Sequence, residues 1–346
     1  MNKISPSVLT EAVRLATMSP SLHNSQPWRF RVGTNTVEVY ADRSRRLQVL
    51  DPAGRELLIS VGAAVFTLRL ALRNAGLRSR ADLFPDPGEP DLVARVAPDT
   101  AHPSPPGPAC EALMAAVPHR HTNRWPFARA AVPADAVEHL SDAARREGAR
   151  LRMLSAVSRN AVLGLSQSAD RLVRARPGYR EELVRWAAAG AGRSDGVPGW
   201  AIGPWDALEV IPVRDFAKAS SLPAPTEYFE PHPVLLVLAT SRDEPSDHVR
   251  AGQALQRVLL TATWLDLATA PISQPIEIPE IRAKLGGAGD DWPAQMVLRI
   301  GYGRITTPTP RRPLDEVLLP DQRRDKSQNP PIPSAGFSRD AELPKS

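Results

Sequence analysis

The sequence predicts an α+β protein in which mixed β-sheets pack against helices, laid out as two unlike halves of one chain. Three observations predict it. Short alternating segments read as a hairpin near the N-terminus, and further strands follow in the middle and near the end. Two long apolar helices stand far apart in the chain and share a faint internal repeat. A run of prolines separates the first of them from the second.

The elements follow in order. Residues 7–18 form the first helix: Ser5 or Ser7 caps it, Pro6 suits its first turn, and Leu9, Ala12, Val13 and Ala16 share one face. Pro20 stops it. Residues 28–32 and 36–40 alternate as strands about a Gly33-Thr34-Asn35 turn. Residues 55–75 form a strong helix closed by Gly76. The Pro-rich stretch 85–108 holds a strand at 92–96 and ends in Pro103-Ser104-Pro105-Pro106-Gly107-Pro108, which makes 99–109 the linker between a first half, 1–98, and a second half, 110–320. Helices at 110–117 and 132–146 precede a strand at 151–154. Residues 158–189 are helical with a break at Pro177-Gly178, and 187–204 is rich in glycine and small residues. A buried strand at 234–240, a long helix at 248–270 and a strand at 295–302 complete the second half. The polar, Pro-rich tail 321–346 reads as disordered.

The repeat has an offset of 190 residues, which superposes Gly62 on Gly252, Ala64 on Ala254, Leu70 on Leu260 and Leu77 on Leu267. Helices rich in Ala and Leu also align by chance, so the repeat acquires weight only from what accompanies it.

Bulk properties narrow the function. The chain of 346 residues is long enough to bury a sizeable core, and 42% hydrophobic with 23% charged residues is ordinary for a globular protein. A net charge of +5 suits an anionic small ligand, and without zinc spacing or an RNP-like aromatic pattern no nucleic-acid partner is expected. The lone Cys110 excludes an internal disulfide framework and fits a reducing interior. No run approaches the ~20 apolar residues of a membrane helix, and the N-terminus lacks a signal pattern. A cytoplasmic protein with no membrane partner is expected.

Three segments carry chemistry. Pro20-Ser21-Leu22-His23-Asn24-Ser25-Gln26-Pro27-Trp28 puts many donors and acceptors into a proline-bounded stretch just past a helix. The paired donor and acceptor of Asn24 and Gln26 suit a flat heterocycle with imide and carbonyl edges; a polar loop anchored by a core Trp28 has the same pattern. Arg120-His121-Thr122-Asn123-Arg124 places two arginines four apart, on one face if the segment is helical, which suits a phosphate clamp with Thr122 assisting, or a solvated basic turn. Pro310-Arg311-Arg312-Pro313 offers a further arginine pair after the last strand. His23 reads as a proton donor or as a structural histidine of its own turn.

The segment from Ser19 to Trp28 resembles the Pro-Ser-x-x-Asn-x-Gln-Pro-Trp signature of FMN-dependent nitroreductases, and the histidine before Asn24 resembles their Acg branch. Arg120 to Arg124 is similar to the Arg-Arg-Ser-x-Arg phosphate motif that opens such chains, with His121 and Thr122 substituted. Thr269-Ala270-Pro271-Ile272-Ser273-Gln274-Pro275 is similar to the loop passing the reactive edge of the flavin, though Ala268 to Ala270 stand where the family pattern has glycines. Arg311-Arg312-Pro313-Leu314-Asp315-Glu316-Val317 resembles its basic C-terminal signature. The motif order is reversed: Pro20–Trp28 has no arginine motif ahead of it, and the arginine motif is not followed by a second Ser-x-x-Asn. The resemblance thus implies a nitroreductase-like fold with two fused halves mimicking the family's homodimer, and one flavin site drawn from both.

Carried over residue by residue, it implies flavin contacts from Ser21, His23, Asn24, Gln26, Pro27, Trp28, Arg29 and Phe30 in the first half. Arg120, Thr122 and Arg124 would hold phosphate or ribityl, backbone groups of Ser273 or Gln274 would lie near the flavin N5, and Arg311 or Arg312 would reach the phosphate. The implied activity is NAD(P)H-dependent reduction of a small-molecule acceptor (a nitroaromatic, a quinone or a relative) through bound FMN, in a monomeric pseudo-dimer or a homo-oligomer. A lid around 187–230 would suit a protein that stores FMN without turnover, and a plain α/β protein without cofactor is the remaining reading. No side chain is required as acid or base beyond the candidate His23.

Overall fold

The computed structural model describes residues 4–187, 192–214, 216–217, 221, 224–286 and 291–320. The tail 321–346, Gly190 and parts of the 187–230 segment lie outside the described residues.

Helix α1 (Pro6–Ala16) starts at Pro6 and buries Leu9, Ala12, Val13 and Ala16. Strands β1 (Trp28–Val32) and β2 (Val37–Ala41) form the expected hairpin. Helix α2 (Arg55–Asn74) is followed by β3 (Ser79–Leu83) and β4 (Leu92–Pro98), and the first sheet has the antiparallel order β1-β2-β4-β3. Trp28, Phe30, Val37, Val39, Val93 and Val96 pack beneath α1 and α2. The second half opens with α3 (Pro108–Ala116) and α4 (Ala134–Arg146), then β5 (Ala149–Met153), α5 (Ala156–Arg174), α6 (Tyr179–Ala187), and the two-residue strands β6 (Trp205–Asp206) and β7 (Thr226–Glu227). Strand β8 (Val234–Thr240), helix α7 (Pro245–Trp264), β9 (Ala268–Ile272) and β10 (Ala294–Gly301) complete a second antiparallel sheet of order β5-β8-β10-β9.

The two sheets have the same topology. Helix–strand–strand–helix–strand–strand describes α1-β1-β2-α2-β3-β4 and also α4-β5-β8-α7-β9-β10, with matching strand order. The difference is the β1–β2 connection: a tight turn in the first half, but residues 154–233 in the second. That insertion lays α5 on the outer face of the second sheet, where Val162 and Leu163 cover Leu235 and Val237. Leu236 and Leu238 face the inner core with α4 and α7. Burial on both faces is why β8 reads as an unbroken apolar run rather than an alternating one.

Helices α2 and α7 cross at the centre. Each has 20 residues, and the offset of 190 maps one onto the other end to end. A Cβ on Gly62 would stand 2.1 Å from the Val249 carbonyl oxygen, and one on Gly252 would stand 2.0 Å from that of Ile59. The same offset relates Ile59 to Val249, so the contact is reciprocal, as at the two-fold axis of a homodimer. The chain is therefore two fused halves of one fold.

Two sequence expectations need correction. The helix expected over 248–270 runs Pro245–Trp264, opening with a capping box between Glu244 and Asp247, and Ala268–Ile272 is strand β9. The separator is Asp266 in the left-handed region at φ 56°, which turns the chain so that Leu267 enters the core. Strand β3 has no counterpart in the sequence reading, because Arg80 and Asp82 leave it little apolar alternation.

Candidate functional site

The segment after α1 cannot continue as helix past Pro20, and it forms a single 3₁₀ turn at Leu22–Asn24. His23, Asn24 and Gln26 adopt φ of 50°, 54° and 49°, a region L-residues enter at a cost of about 1–2 kcal/mol each. A dense set of hydrogen bonds holds them there. The Gln26 N–H donates to Ser21 Oγ at 2.9 Å, and Leu22 N–H to Ser60 Oγ on α2 at 3.2 Å. Asn24 Nδ2 donates to the carbonyls of Gly196 (3.0 Å) and Pro310 (3.1 Å), while its Oδ1 accepts from Arg311 Nη1 at 3.2 Å. Gln26 Nε2 donates to the Ser194 carbonyl at 2.8 Å, and its Oε1 accepts from the Arg312 N–H at 2.9 Å.

Asn24 and Gln26 thus pin two distant segments over the turn: residues 194–196 of the insertion and the C-terminal stretch 310–312. The latter returns to the first sheet, where Leu319 N–H donates to the Phe30 carbonyl at 2.7 Å.

Arg120 to Arg124 is extended, not helical: Arg120 has φ −74° and ψ 106°, Thr122 bridges Thr269 beside β9, and Asn123 N–H donates to the Thr269 carbonyl at 2.8 Å. An extended chain alternates its side chains with period two. Arg120, Thr122 and Arg124 therefore share a face, while Asn123 turns away to the Arg304 carbonyl.

Two adjoining cavities meet on this face. The larger has about 1020 Å³ of space, part of it open to solvent, walled by Ile59 and Ala63 of α2, Leu255 and Leu259 of α7, Phe216, and the stretch from Ala270 to Gln274. The smaller, about 750 Å³, is lined by Asn24, Arg120, His121, Arg124, Trp125, Trp200 and Arg311. Pro20, Ser21, Thr122 and Arg124 wall both. Residues from both halves are needed for each cavity. The insertion lines both: Val197, Trp200 and Ala201 line the smaller, Ile211 to Arg214 and Phe216 the larger, and Arg124 Nη1 donates to the Ala201 carbonyl at 2.7 Å.

The smaller cavity is strongly cationic. Among the described residues no carboxylate pairs with Arg120, Arg124 or Arg311, although Arg120 is only 3% exposed. Arg120 Nε, Arg311 Nε and His121 Nδ1 are buried without a partner. Burial, with the Arg311 charge, pushes Arg120 down to about 9; burial brings Arg311 to about 10, and burial with the Arg214 charge brings Arg124 to about 10. Buried like charges without counter-ions mark a place where an anion lowers the free energy.

Of the residues singled out from sequence, Ser21, His23, Asn24, Arg120, Thr122, Arg124, Ser273, Gln274 and Arg311 line the two cavities. Gln26, Pro27, Trp28, Arg29, Phe30 and Arg312 do not. Trp28 and Phe30 are fully buried beneath α1 and α2, because pairing with β2 fixes which face of β1 points inward. Arg29 pairs with Asp42 at 3.0 Å, and Arg312 holds Glu316 and the Gln26 carbonyl. These residues support the site from behind. His23 packs edge-on against Phe216, and burial with the charges of Arg214 and Arg124 holds its pKa well below the ordinary value, so the ring is neutral. That disfavours it as an acid.

Sequence reasoning missed Glu56, Arg214, Phe216, Glu230, Glu277 and Arg299. Arg214 pairs with Glu277 and donates to Ser273 Oγ at 3.1 Å, and Arg299 is held by both oxygens of Glu230. Only Glu56 carried a signal, as the one acidic residue of a long and mostly apolar helix.

The pseudo-symmetric position does not repeat the site. The offset carries Ala63 to Gln253 and Leu259 to Arg69. There Arg69 donates to Gln253 Oε1 (2.6 Å) and Glu147 (2.8 Å), Arg257 donates to Glu147 (2.6 Å), and α3 packs Leu113 and Ala116 onto Phe66, Leu70 and Leu260. Ion pairs and a helix fill the space that is open on the other side. Among the described residues no cluster suited to a metal ion occurs, and no described helix is long and apolar enough to cross a membrane.

No known protein-family model matches the chain. A Mycobacterium tuberculosis protein whose name assigns it provisionally to the NAD(P)H nitroreductases is 36% identical over 320 residues, 90% of each chain. The M. tuberculosis protein Acg, named in the same way, is 30% identical over 322 residues, 91% of this chain and 96% of its own. Among solved structures, the FMN- and NADPH-dependent nitroreductase NfnB of a Sphigopyxis species gives a TM-score of 0.39 at 21% identity, over 60% of this chain and 98% of its own. A nitroreductase-type protein of Anabaena variabilis gives 0.45 at 11% identity, over 86% of this chain and 73% of its own. The chain belongs to the nitroreductase family, in its Acg-like branch.

Proposed function

We propose that the protein is an FMN-binding oxidoreductase that passes electrons from NAD(P)H to a small acceptor such as a nitroaromatic or a quinone. The observation that carries this is the pair of joined cavities: an apolar slot beside a pocket with Arg120, Arg124 and Arg311 uncompensated. An amphiphilic ligand with a flat ring at one end and a phosphate at the other fits both, with its link passing Ser21 and Thr122. Arg120 and Arg311 would hold the phosphate, since charge-assisted bonds to guanidinium suit it. Ile59, Leu255 and Leu259 would cover one side of the ring, with Ser273 and Gln274 at its edge. Bound FMN supplies the two-electron chemistry; the protein contributes binding, orientation and exclusion of water.

A second reading is FMN storage. It is favoured by the cover, whose Ser194, Gly196 and Ala201 carbonyls are bound to Gln26, Asn24 and Arg124. A covered site limits access of both nicotinamide and acceptor. The purified protein is expected to be yellow and to bleach on anaerobic addition of NADPH. A yellow protein that does not bleach favours storage. A colourless protein that rejects added FMN sinks both readings. Inorganic phosphate alone is expected to raise the melting temperature of the flavin-free protein by relieving the arginine cluster, as any ligand of the native state does. An equal response to chloride at matched ionic strength would count against a phosphate site.

A further inference from the structure

We propose that Glu56 faces the larger cavity as an uncharged carboxylic acid and donates its O–H hydrogen bond to a carbonyl oxygen on the edge of the ring bound there. The ligand side of this inference rests on the flavin reading above; the protonation side does not.

Glu56 stands on the first turn of α2, lines the cavity, and is 3% exposed. Its Oε1 has one contact, Arg55 Nη2 at 3.3 Å, and its Oε2 is buried without a partner. Arg55 directs Nη1 elsewhere, to Gln295 O and Oε1, both at 3.0 Å. Two other acids stand close and are better served. Asp51, ahead of the helix, accepts the Leu57 N–H at 2.8 Å, which anchors it at the positive end of α2. Glu277 is paired with Arg214 through Oε1, while its Oε2 is buried without a partner. Behind Arg55, Asp243 is shared by Arg282, His248 at 3.0 Å and Gln295 at 3.0 Å.

Among the described residues Arg55 contacts Glu56, Arg214 contacts Glu277 and no guanidinium pairs with Asp51; of the other arginines lining the cavity, Arg299 is held by Glu230 and Arg124 donates to the Ala201 carbonyl. Full ionisation would place three buried carboxylates beside two paired guanidinium groups. The acid with the poorest partners takes the proton, because a buried carboxylate without compensation costs several kcal/mol. Burial foremost, then the neighbouring Glu277, raises the Glu56 pKa well above the ordinary value against the pull of Arg55. Asp51 rises to about 6 through burial, with the helix N–H groups pulling it back. A protonated carboxyl carries a donor that must be satisfied. Glu56 Oε2 and Glu277 Oε2 are both buried without a hydrogen-bond partner; a carbonyl edge on the cavity's occupant would supply the acceptor that the Glu56 O–H needs. The side chain then selects a ring whose edge presents a hydrogen-bond acceptor such as a carbonyl oxygen.

The test compares wild type, Glu56→Gln and Glu56→Leu by fluorescence titration with riboflavin, which lacks the phosphate, and with FMN, from about pH 6 to about pH 9. Wild-type riboflavin affinity is expected to fall as pH rises, by up to about tenfold per pH unit above the Glu56 pKa. Glu56→Gln keeps an N–H donor and is expected to bind without that pH dependence. Glu56→Leu is expected to bind weakly throughout. Parallel pH profiles in wild type and Glu56→Gln overturn the proposal.

Melting of the flavin-free proteins gives a readout without ligand. An acid whose folded pKa is raised loses stability as pH climbs from its unfolded value of about 4.5 towards the folded one. Glu56→Gln is therefore expected to gain on wild type across that interval; a constant difference overturns the protonation. If neither flavin binds, the ring reading fails and the ligand half of this inference falls with it, while the melting comparison still decides the charge state.

Discussion

Replacing Arg120 with methionine is expected to raise the melting temperature of the flavin-free protein while lowering its affinity for FMN by roughly ten- to a hundredfold, the equivalent of about 1.5–3 kcal/mol for a charge-assisted hydrogen bond. The two effects have one cause. Arg120 is buried, its Nε has no partner, and among the described residues the one hydrogen bond of its guanidinium is a 3.5 Å contact from Nη2 to the Met18 carbonyl. Its neighbour Arg311 carries the same charge and lowers its pKa.

Without an anion, such a cation carries a desolvation penalty and receives almost nothing in return. Methionine fills comparable volume with a flexible apolar chain. Removing the penalty should yield about 1–3 kcal/mol of stability, or several degrees in melting temperature. Arg311 is a poor choice for the same experiment, because its guanidinium also holds Asn24 Oδ1, Thr309 and the Met18 carbonyl. Calorimetry of the apo-proteins and FMN titration by fluorescence quenching measure both quantities. A variant that is less stable and binds FMN as well as wild type would show that Arg120 is a structural cation and that the phosphate lies elsewhere.

How much of this was legible in the sequence differs from residue to residue. Arg120, Thr122 and Arg124 were found by residue type, yet the reason they act together was inverted. A helix places i and i+4 on one face, whereas the extended chain beside β9 places i, i+2 and i+4 there and so includes Thr122. The motif from Pro20 to Trp28 located the turn, but residue type could not divide cavity-lining Ser21 and Asn24 from Trp28 and Phe30, which depend on the facing of β1.

Shifting the α2 bounds by 190 gives the bounds of α7, where periodicity alone ran the helix on through Leu267 and Ala270. Glu56, Arg214 and Glu277 come from distant positions and meet only in the fold. No spacing rule brings residues 56, 214 and 277 together.

The crossing of α2 and α7 supports the second large expectation. Gly252→Ala should destabilise the protein by about 3 kcal/mol or more and weaken flavin binding, even though alanine is the better helix former by about 1 kcal/mol. The sign is set by what the methyl group meets. Its nearest atoms are the Ile59 carbonyl oxygen at 2.0 Å, the Ile59 carbonyl carbon at 2.8 Å and the Ala63 nitrogen at 2.9 Å. All are backbone, so no rotamer change relieves the contact, and the helices must separate. Overpacking a core typically costs 1–3 kcal/mol. Here separation also loosens contacts between the two halves and moves Glu56, Ile59 and Ala63 relative to Leu255 and Leu259 across the ring cavity.

The same substitution at Gly164, in the middle of α5 where the added methyl meets nothing beyond its own helix backbone within 4 Å, provides the contrast. There only propensity acts, and a gain of about 0.5–1 kcal/mol is expected. Gly62→Ala should reproduce the loss at Gly252, since its methyl would meet the Val249 carbonyl oxygen at 2.1 Å. Chemical denaturation of the three variants, with FMN affinity for those that fold, separates the effects. If Gly252→Ala matches Gly164→Ala in sign, the helices are not in close contact at the pseudo-two-fold axis. Concordant losses at Gly62 and Gly252 would mean that the two halves still meet as two subunits do, through one reciprocal contact inside a single chain.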